Sequence, residues 1–107
     1  MTTEEFSDLA LSFSETVGLP HFDRTAFKVI KRRIFATLDH AGRAANIKLN
    51  EVDQSVFCAG NRKDVYAVPN KWGKQGWTTF ELDYIPVEMV TDALNTAYND
   101  ALKKNVK

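Results

Sequence analysis

"AFKVIKRRIFATLDHAGRAANIKLN", residues 26–50, is the stretch on which the fold turns. β-Branched and aromatic residues crowd it, and it breaks at "IKRR" (30–33) and "DHAGR" (39–43), where charged and small residues displace the apolar ones. Apolar runs of this length, separated by short polar breaks, read as antiparallel strands joined by tight turns. Three strands are expected, near 26–30, 33–39 and 44–49.

Upstream, Thr2 followed by Glu5 has the spacing of a capping box, and Phe6, Leu9, Phe13 and Val17 recur every three or four residues behind it. That spacing predicts an amphipathic helix, ended by Gly18 and Pro20. Downstream, Asn50 is placed to cap a short helix, "EVDQSVFCAG" (51–60), with Val52, Val56 and Ala59 as its buried stripe and Gly60 as its stop. A strand at "DVYAV" (64–68) and another at "GWTTFEL" (76–82) are joined by "NKWGKQGW" (70–77), which holds both tryptophans. Its glycines, Gly73 and Gly76, suit the positive φ of a tight connection, with Trp72 packed under the turn and Trp77 on the sheet. Pro86 opens a last helix whose apolar face is Val90, Leu94, Ala97, Ala101 and Leu102. Glu88 and Asp92 near its start, and Lys103, Lys104 and Lys107 at its end, complement its macrodipole. The order is α-β(3)-α-β(2)-α: one domain over residues 1–107, an α+β two-layer sandwich with an antiparallel sheet covered on one face by helices.

Strand alternation sorts the sheet residues by side. Ile34, Ala36 and Leu38, with Ile47, Leu49, Thr78, Phe80 and Leu82, form the face expected against the helices. The other face carries Arg33, Phe35, Thr37 and Asp39, then Asn46 and Lys48, then Trp77, Thr79 and Glu81. Phe35 and Trp77 beside Lys48 are therefore expected to form an exposed interaction surface. It would be buried by a homodimer, a protein partner or a terminal helix, or would stack a planar ligand on its rings with Arg33 and Lys48 supplying charge, unless a shifted register exchanges the two faces.

Composition narrows the class. The 107 residues carry 14 Lys and Arg against 14 Asp and Glu. Residues 1–23 hold five acids and no Lys or Arg, whereas residues 24–75 hold eleven Lys or Arg and four acids, a net of +7. Segregation of this kind can put a basic face on a neutral protein. A single cysteine, Cys58, precludes an intrachain disulfide. No apolar run approaches the roughly 20 residues of a membrane helix, and "MTTEEFSD" is acidic where a signal peptide is basic. A cytoplasmic, non-membrane protein is expected.

Motifs for catalysis are missing. His21 and His40 are not spaced as metal ligands, Cys58 lies on an amphipathic helix, and two glycines leading into a strand make no phosphate loop. No catalytic residue, metal or cofactor is expected. What remains is charge: Lys31, Arg32 and Arg33 at one turn, and Lys71 and Lys74 at the other, beside Arg62 and Lys63. Cations on two turns could follow a phosphate backbone if the turns converge.

"FKVIKRRIFATLD" and "PNKWGKQGWTTFELDYIPVEMVTDALNTAYNDA" together resemble the MmcQ/YjbR family of small bacterial proteins over nearly the whole chain. Phe27, Val29, Ile34, Phe35 and Ala36 carry the first block. The second is Pro69, Lys71, Trp72, Gly73, Gln75, Gly76, Trp77 and Thr78, and the third is the closing helix around Ala97 and Tyr98. "VIKRRIF" departs from the pattern, since many relatives have a glycine and a single lysine in that turn. The resemblance implies a fold shared with secretion chaperones and likened to frataxin folds. It also implies duplex DNA binding through a double wing, in which two hairpins grip the nucleic acid. On this chain the wings would be Lys31–Arg33 and Asn70–Trp77. A chaperone-like or protein-interaction module, using the open sheet face, is the competing expectation.

Overall fold

The computed structural model describes residues 1–60 and 62–103. Helix α1 (Thr3–Leu11) leads into strands β1 (Thr16–His21), β2 (Arg24–Val29), β3 (Ile34–Asp39) and β4 (Ala44–Lys48). Helix α2 (Glu51–Phe57), strand β5 (Val65–Ala67), a single helical turn α3 (Lys71–Lys74), strand β6 (Trp77–Glu81), a 3-10 turn (Leu82–Tyr84) and helix α4 (Val87–Lys103) follow. The sheet is antiparallel throughout, in the order β1-β2-β3-β4-β6-β5. The α+β sandwich stands as expected, with one strand more. Lys104 and Lys107, expected at the end of the last helix, lie outside the described residues.

The extra strand comes from the shortening of α1. The capping box forms at its start, Thr2 Oγ1 accepting from Glu5 N at 3.0 Å and Glu5 Oε1 from Thr2 N at 2.8 Å. The helix nevertheless ends at Leu11, well before Val17. Glu15 then takes a left-handed φ of 59° and turns the chain into β1, which pairs with β2 from Thr16↔Val29 to His21↔Arg24. Pro20 is tolerated because β1 is an edge strand, where a missing N–H costs the ladder nothing on the outer side.

One face of the sheet closes the core. Phe6 and Ala10 of α1 and Val90, Ala93, Leu94, Ala97 and Ala101 of α4 pack on Phe27, Val29, Leu38, Ala45, Ile47 and Phe80. Phe35 belongs to this core, which corrects its expected place on the open face. It is fully buried, edge-on to Phe13 (centroids 6.3 Å) and Tyr98 (6.0 Å), which themselves stack at 4.6 Å. The cause is a β-bulge. Phe27 pairs with Ala36 and Lys28 with Ile34, so β3 spends one extra residue, Phe35, on a single step of β2. An inserted residue breaks the two-residue alternation. Phe35 turns inward with Ala36, and Ile34 moves to the open face in its place.

Helix α2 is also rotated from expectation. Val52 and Val56 are 70% and 65% exposed, and none of the helix's residues is fully buried. Asn50 caps it as expected, accepting from Asp53 N at 2.8 Å. Its inward side is Phe57, edge-on to Phe80 at 5.9 Å, and Gln54, whose amide reaches the β5–β6 connection. A seven-residue helix has too little apolar stripe to dictate its own facing, and here hydrogen bonds and one aromatic contact do so.

Candidate nucleic-acid interface and open-face groove

The β2–β3 turn is short and tied at both ends. Arg32 N donates to Val29 O at 2.9 Å and Val29 N to Arg33 O at 3.2 Å, while Ile30 N reaches back to Glu15 O at 2.8 Å. Lys31 occupies the left-handed region, φ 65°, at the position where a glycine would be relaxed. Lys31, Arg32 and Arg33 all project into solvent.

The second turn is more built than a loop. Asn70 Oδ1 accepts from Trp72 N at 2.8 Å and caps α3. Gly73 sits inside that turn without positive φ. It is required because a Cβ there would overlap the carbonyl oxygen of Val68. Gly76 does take a positive φ, 104°, and a Cβ on it would overlap the carbonyl oxygen of Leu49. Gln54 Nε2 of α2 braces the arrangement, lying 2.9 Å from Gly73 O, 3.3 Å from Trp77 O and 3.2 Å from Thr78 Oγ1. Lys71 and Lys74 are exposed, with Lys71 Nζ 5.8 Å from the centre of the Trp72 ring. Trp72, expected under the turn, is instead 50% exposed.

Sheet topology brings the two turns to one end. β2 finishes and β3 begins where β4 finishes, β6 begins and β5 finishes, since Lys28 pairs with Ile34, Lys48 with Trp77 and Ala67 with Thr78. The turn midpoints are three strand spacings apart along the sheet order, about 14 Å. Ion pairs among the described residues join Arg43 to Asp83, Arg62 to Asp64 and Lys103 to Asp100; none engages Lys31, Arg32, Arg33, Lys71 or Lys74. Between the turns, Lys48 is half-buried, and burial with the nearby positive charge of Arg33 pulls its pKa below the ordinary lysine value. Acids border this rim on the helix side. Asn50 Nδ2 donates to Asp53 at 2.7 Å and to Asp100 at 3.4 Å, so both carboxylates stand at the same end.

Below the rim, the open face of the sheet forms a groove of 340 Å³ walled by Ile34, Val68, Trp72 and Trp77. Of the residues expected on an interaction surface, Trp77 lines it and Phe35 does not. Ile34, Trp72 and Arg24 were not legible as its walls. The bulge that swaps Ile34 for Phe35 leaves no signature in residue type, and Trp72 reaches the face only through the fold of the connection.

Cys58 does not have the surroundings of a nucleophile. Burial pushes its thiol above the ordinary value, against smaller opposing influences of a backbone hydrogen bond at Ala67 and of the Arg62 charge, whereas reactive cysteines are held low. Among the described residues no group of three His, Cys, Asp or Glu side chains converges as metal ligands, and no described helix is long and apolar enough to cross a membrane.

These elements define an α+β protein with a six-stranded antiparallel sheet, helices on one face and a turn-built rim at one end. No protein-family model matches the chain, and no curated protein matches it. A solved structure does: the Deinococcus radiodurans protein DR2400, which carries the family-model domain DUF419. The TM-score is 0.85 at 18% sequence identity, covering 99% of this chain and 82% of that one. At that identity the likeness shows a shared fold.

Proposed function

We propose that this chain is a non-enzymatic, cytoplasmic binding module of the MmcQ/YjbR type that holds duplex DNA by its phosphates. Lys31, Arg32 and Arg33 act on one side and Lys71 and Lys74 on the other. The observation carrying this reading is the convergence of two exposed basic turns at one end of the sheet, with none of the five cations paired to a carboxylate among the described residues. Their spacing of about 14 Å is comparable to the roughly 12 Å width of a major groove, so the turns can straddle it. The bordering acids hold the positive surface to the sheet side, and binding is accordingly weak and indifferent to base sequence.

Fluorescence-anisotropy titration of a random 20-base-pair duplex, at several salt concentrations, tests the reading. Five phosphate contacts give a slope of log K against log salt of about −4.5. Arg32→Gln with Arg33→Gln, or Lys71→Gln with Lys74→Gln, each leaves three contacts and a slope near −2.7, roughly. A slope near zero, or a change from only one of the two pairs, removes the two-turn grip. The competing reading, a partner or second copy on the open face, keeps Trp77 and Lys48 as contacts and loses Phe35 to the core. Light scattering of wild type and Trp77→Ala separates the two, because only that reading ties association to the indole.

A further inference from the structure

The open-face groove contains a cation, Arg24, that makes no ion pair among the described residues. Arg24 reaches this face from β2, in register with Asp39 of β3. Asp39, however, turns to its own hairpin, Oδ1 accepting from Gly42 N at 3.1 Å. Arg24 Nη1 is sealed from solvent and has no hydrogen-bond partner among the described residues. A charged donor withdrawn from water with no acceptor is strongly disfavoured, and folded proteins rarely keep one.

The surroundings of Arg24 suggest what would satisfy it. Both indoles of the chain, Trp72 and Trp77, line the same groove, as do Thr37 and Asn46. Asn46 Oδ1 is already committed, accepting from Thr79 Oγ1 at 2.7 Å, which leaves its amide nitrogen to donate. The Arg24 guanidinium and the Asn46 amide thus offer donors here, with His21 and Thr37 able to donate or accept beside them, next to flat apolar walls in a volume of 340 Å³ that falls at the small end of ligand pockets. We propose that the groove binds a small, flat organic acid, an aromatic carboxylate, with the carboxylate on the Arg24 guanidinium and the ring against Trp72 and Trp77. The guanidinium presents a fork matched to carboxylate geometry, and the indole faces reward stacking.

Arg24 lines the groove but its Nη1 is closed even to water, so an acid reaches that atom only when a wall of the groove moves, which a small ligand can achieve and a flat protein surface cannot. Trp72, half-exposed on the single turn α3, is the wall that shifts to admit the ligand. None of the five rim cations takes part, and the site stands or falls separately from DNA binding.

The test uses the full chain and 2-naphthoate, with its uncharged amide, 2-naphthamide, as control. Because both tryptophans line the groove, their two indole N–H signals in a proton–nitrogen correlation spectrum report on it directly. Naphthoate is expected to shift both signals saturably and to bind at least about tenfold more tightly than naphthamide. Arg24→Gln is expected to abolish that preference, and Arg24→Lys to retain part of it. Equal affinity for acid and amide, no saturable shift, or a preference surviving Arg24→Gln overturns the proposal. So do indole shifts that depend on protein concentration without ligand, which mark a second copy on the face. Should Arg24→Gln fail to fold, seen as lost spectral dispersion, the wild-type ratio of acid to amide still decides.

Discussion

Phe35 gathers contacts from three parts of the chain: its own strand, Phe13 beyond the end of α1, and Tyr98 of α4, whose hydroxyl donates to Ser14 O at 3.0 Å. Removing the ring leaves a void that distant elements cannot collapse together. Phe35→Ala should therefore cost about 3–5 kcal/mol in urea denaturation. Trp77→Ala, on a half-buried ring at the open face, should cost no more than about 2 kcal/mol. The reverse order would put Trp77 in the core and Phe35 on the open face. This residue also marks where reading by alternation fails. The two-residue period assigns every side chain of a strand from any one of them, and a single inserted residue reverses the assignment beyond it. Nothing in "RIFATL" announces the insertion.

At the scale of elements, α2 shows how a short helix is oriented by what it braces. Gln54 holds the connection between Val68 and Thr78 through one side-chain amide facing three acceptors. Gln54→Ala should destabilise by roughly 1–3 kcal/mol and speed hydrogen exchange in residues 70–78 more than in β2 and β3. Val52→Ser and Val56→Ser should change stability by no more than about 0.5 kcal/mol, both side chains being exposed. Uniform exchange after Gln54→Ala would show that the connection stands without its brace. The same scale holds the other departure from expectation. Val17 fits both a helical stripe and a strand, and Gly18 and Pro20 read equally as a helix stop or as an edge. Pairing with β2 decides between them, and pairing is not a local property.

Across the whole molecule, charge is sorted by how it is held. Cations at the rim are unpaired among the described residues, while Arg43–Asp83 at 2.7 Å and Arg62–Asp64 at 2.9 Å stand toward the opposite end of the sheet, where β3 turns into β4 and β5 begins. Hydrogen bonds from these arginines hold Asp83 and Asp64 below the ordinary carboxylate value of 3.8. A carboxyl whose pKa is lower folded than unfolded adds stability above the unfolded value and loses it as pH falls through the folded one. Thermal melts should thus fall progressively below about pH 4, and less steeply in Arg43→Gln with Arg62→Gln. The difference is small because the pairs are solvent-exposed. An identical acid limb in the variant would assign acid sensitivity to other carboxyls.

The amino-acid order by itself determined the class of this protein: apolar periods of 2 and 3.6, caps at Thr2 and Asn50, and breaks at charged turns are local, and they specify its strands and helices in order, β1 and α3 excepted. It also placed five cations on two turns, because exposed turns are where unpaired charge is tolerated. Only the tertiary structure decided that those turns share one end of the sheet, that Phe35 is core while Ile34 is surface, and that Arg24 lines the same groove as both indoles. Each of these depends on strand order or register, which is set by contacts between residues far apart in the chain and leaves no period in the sequence.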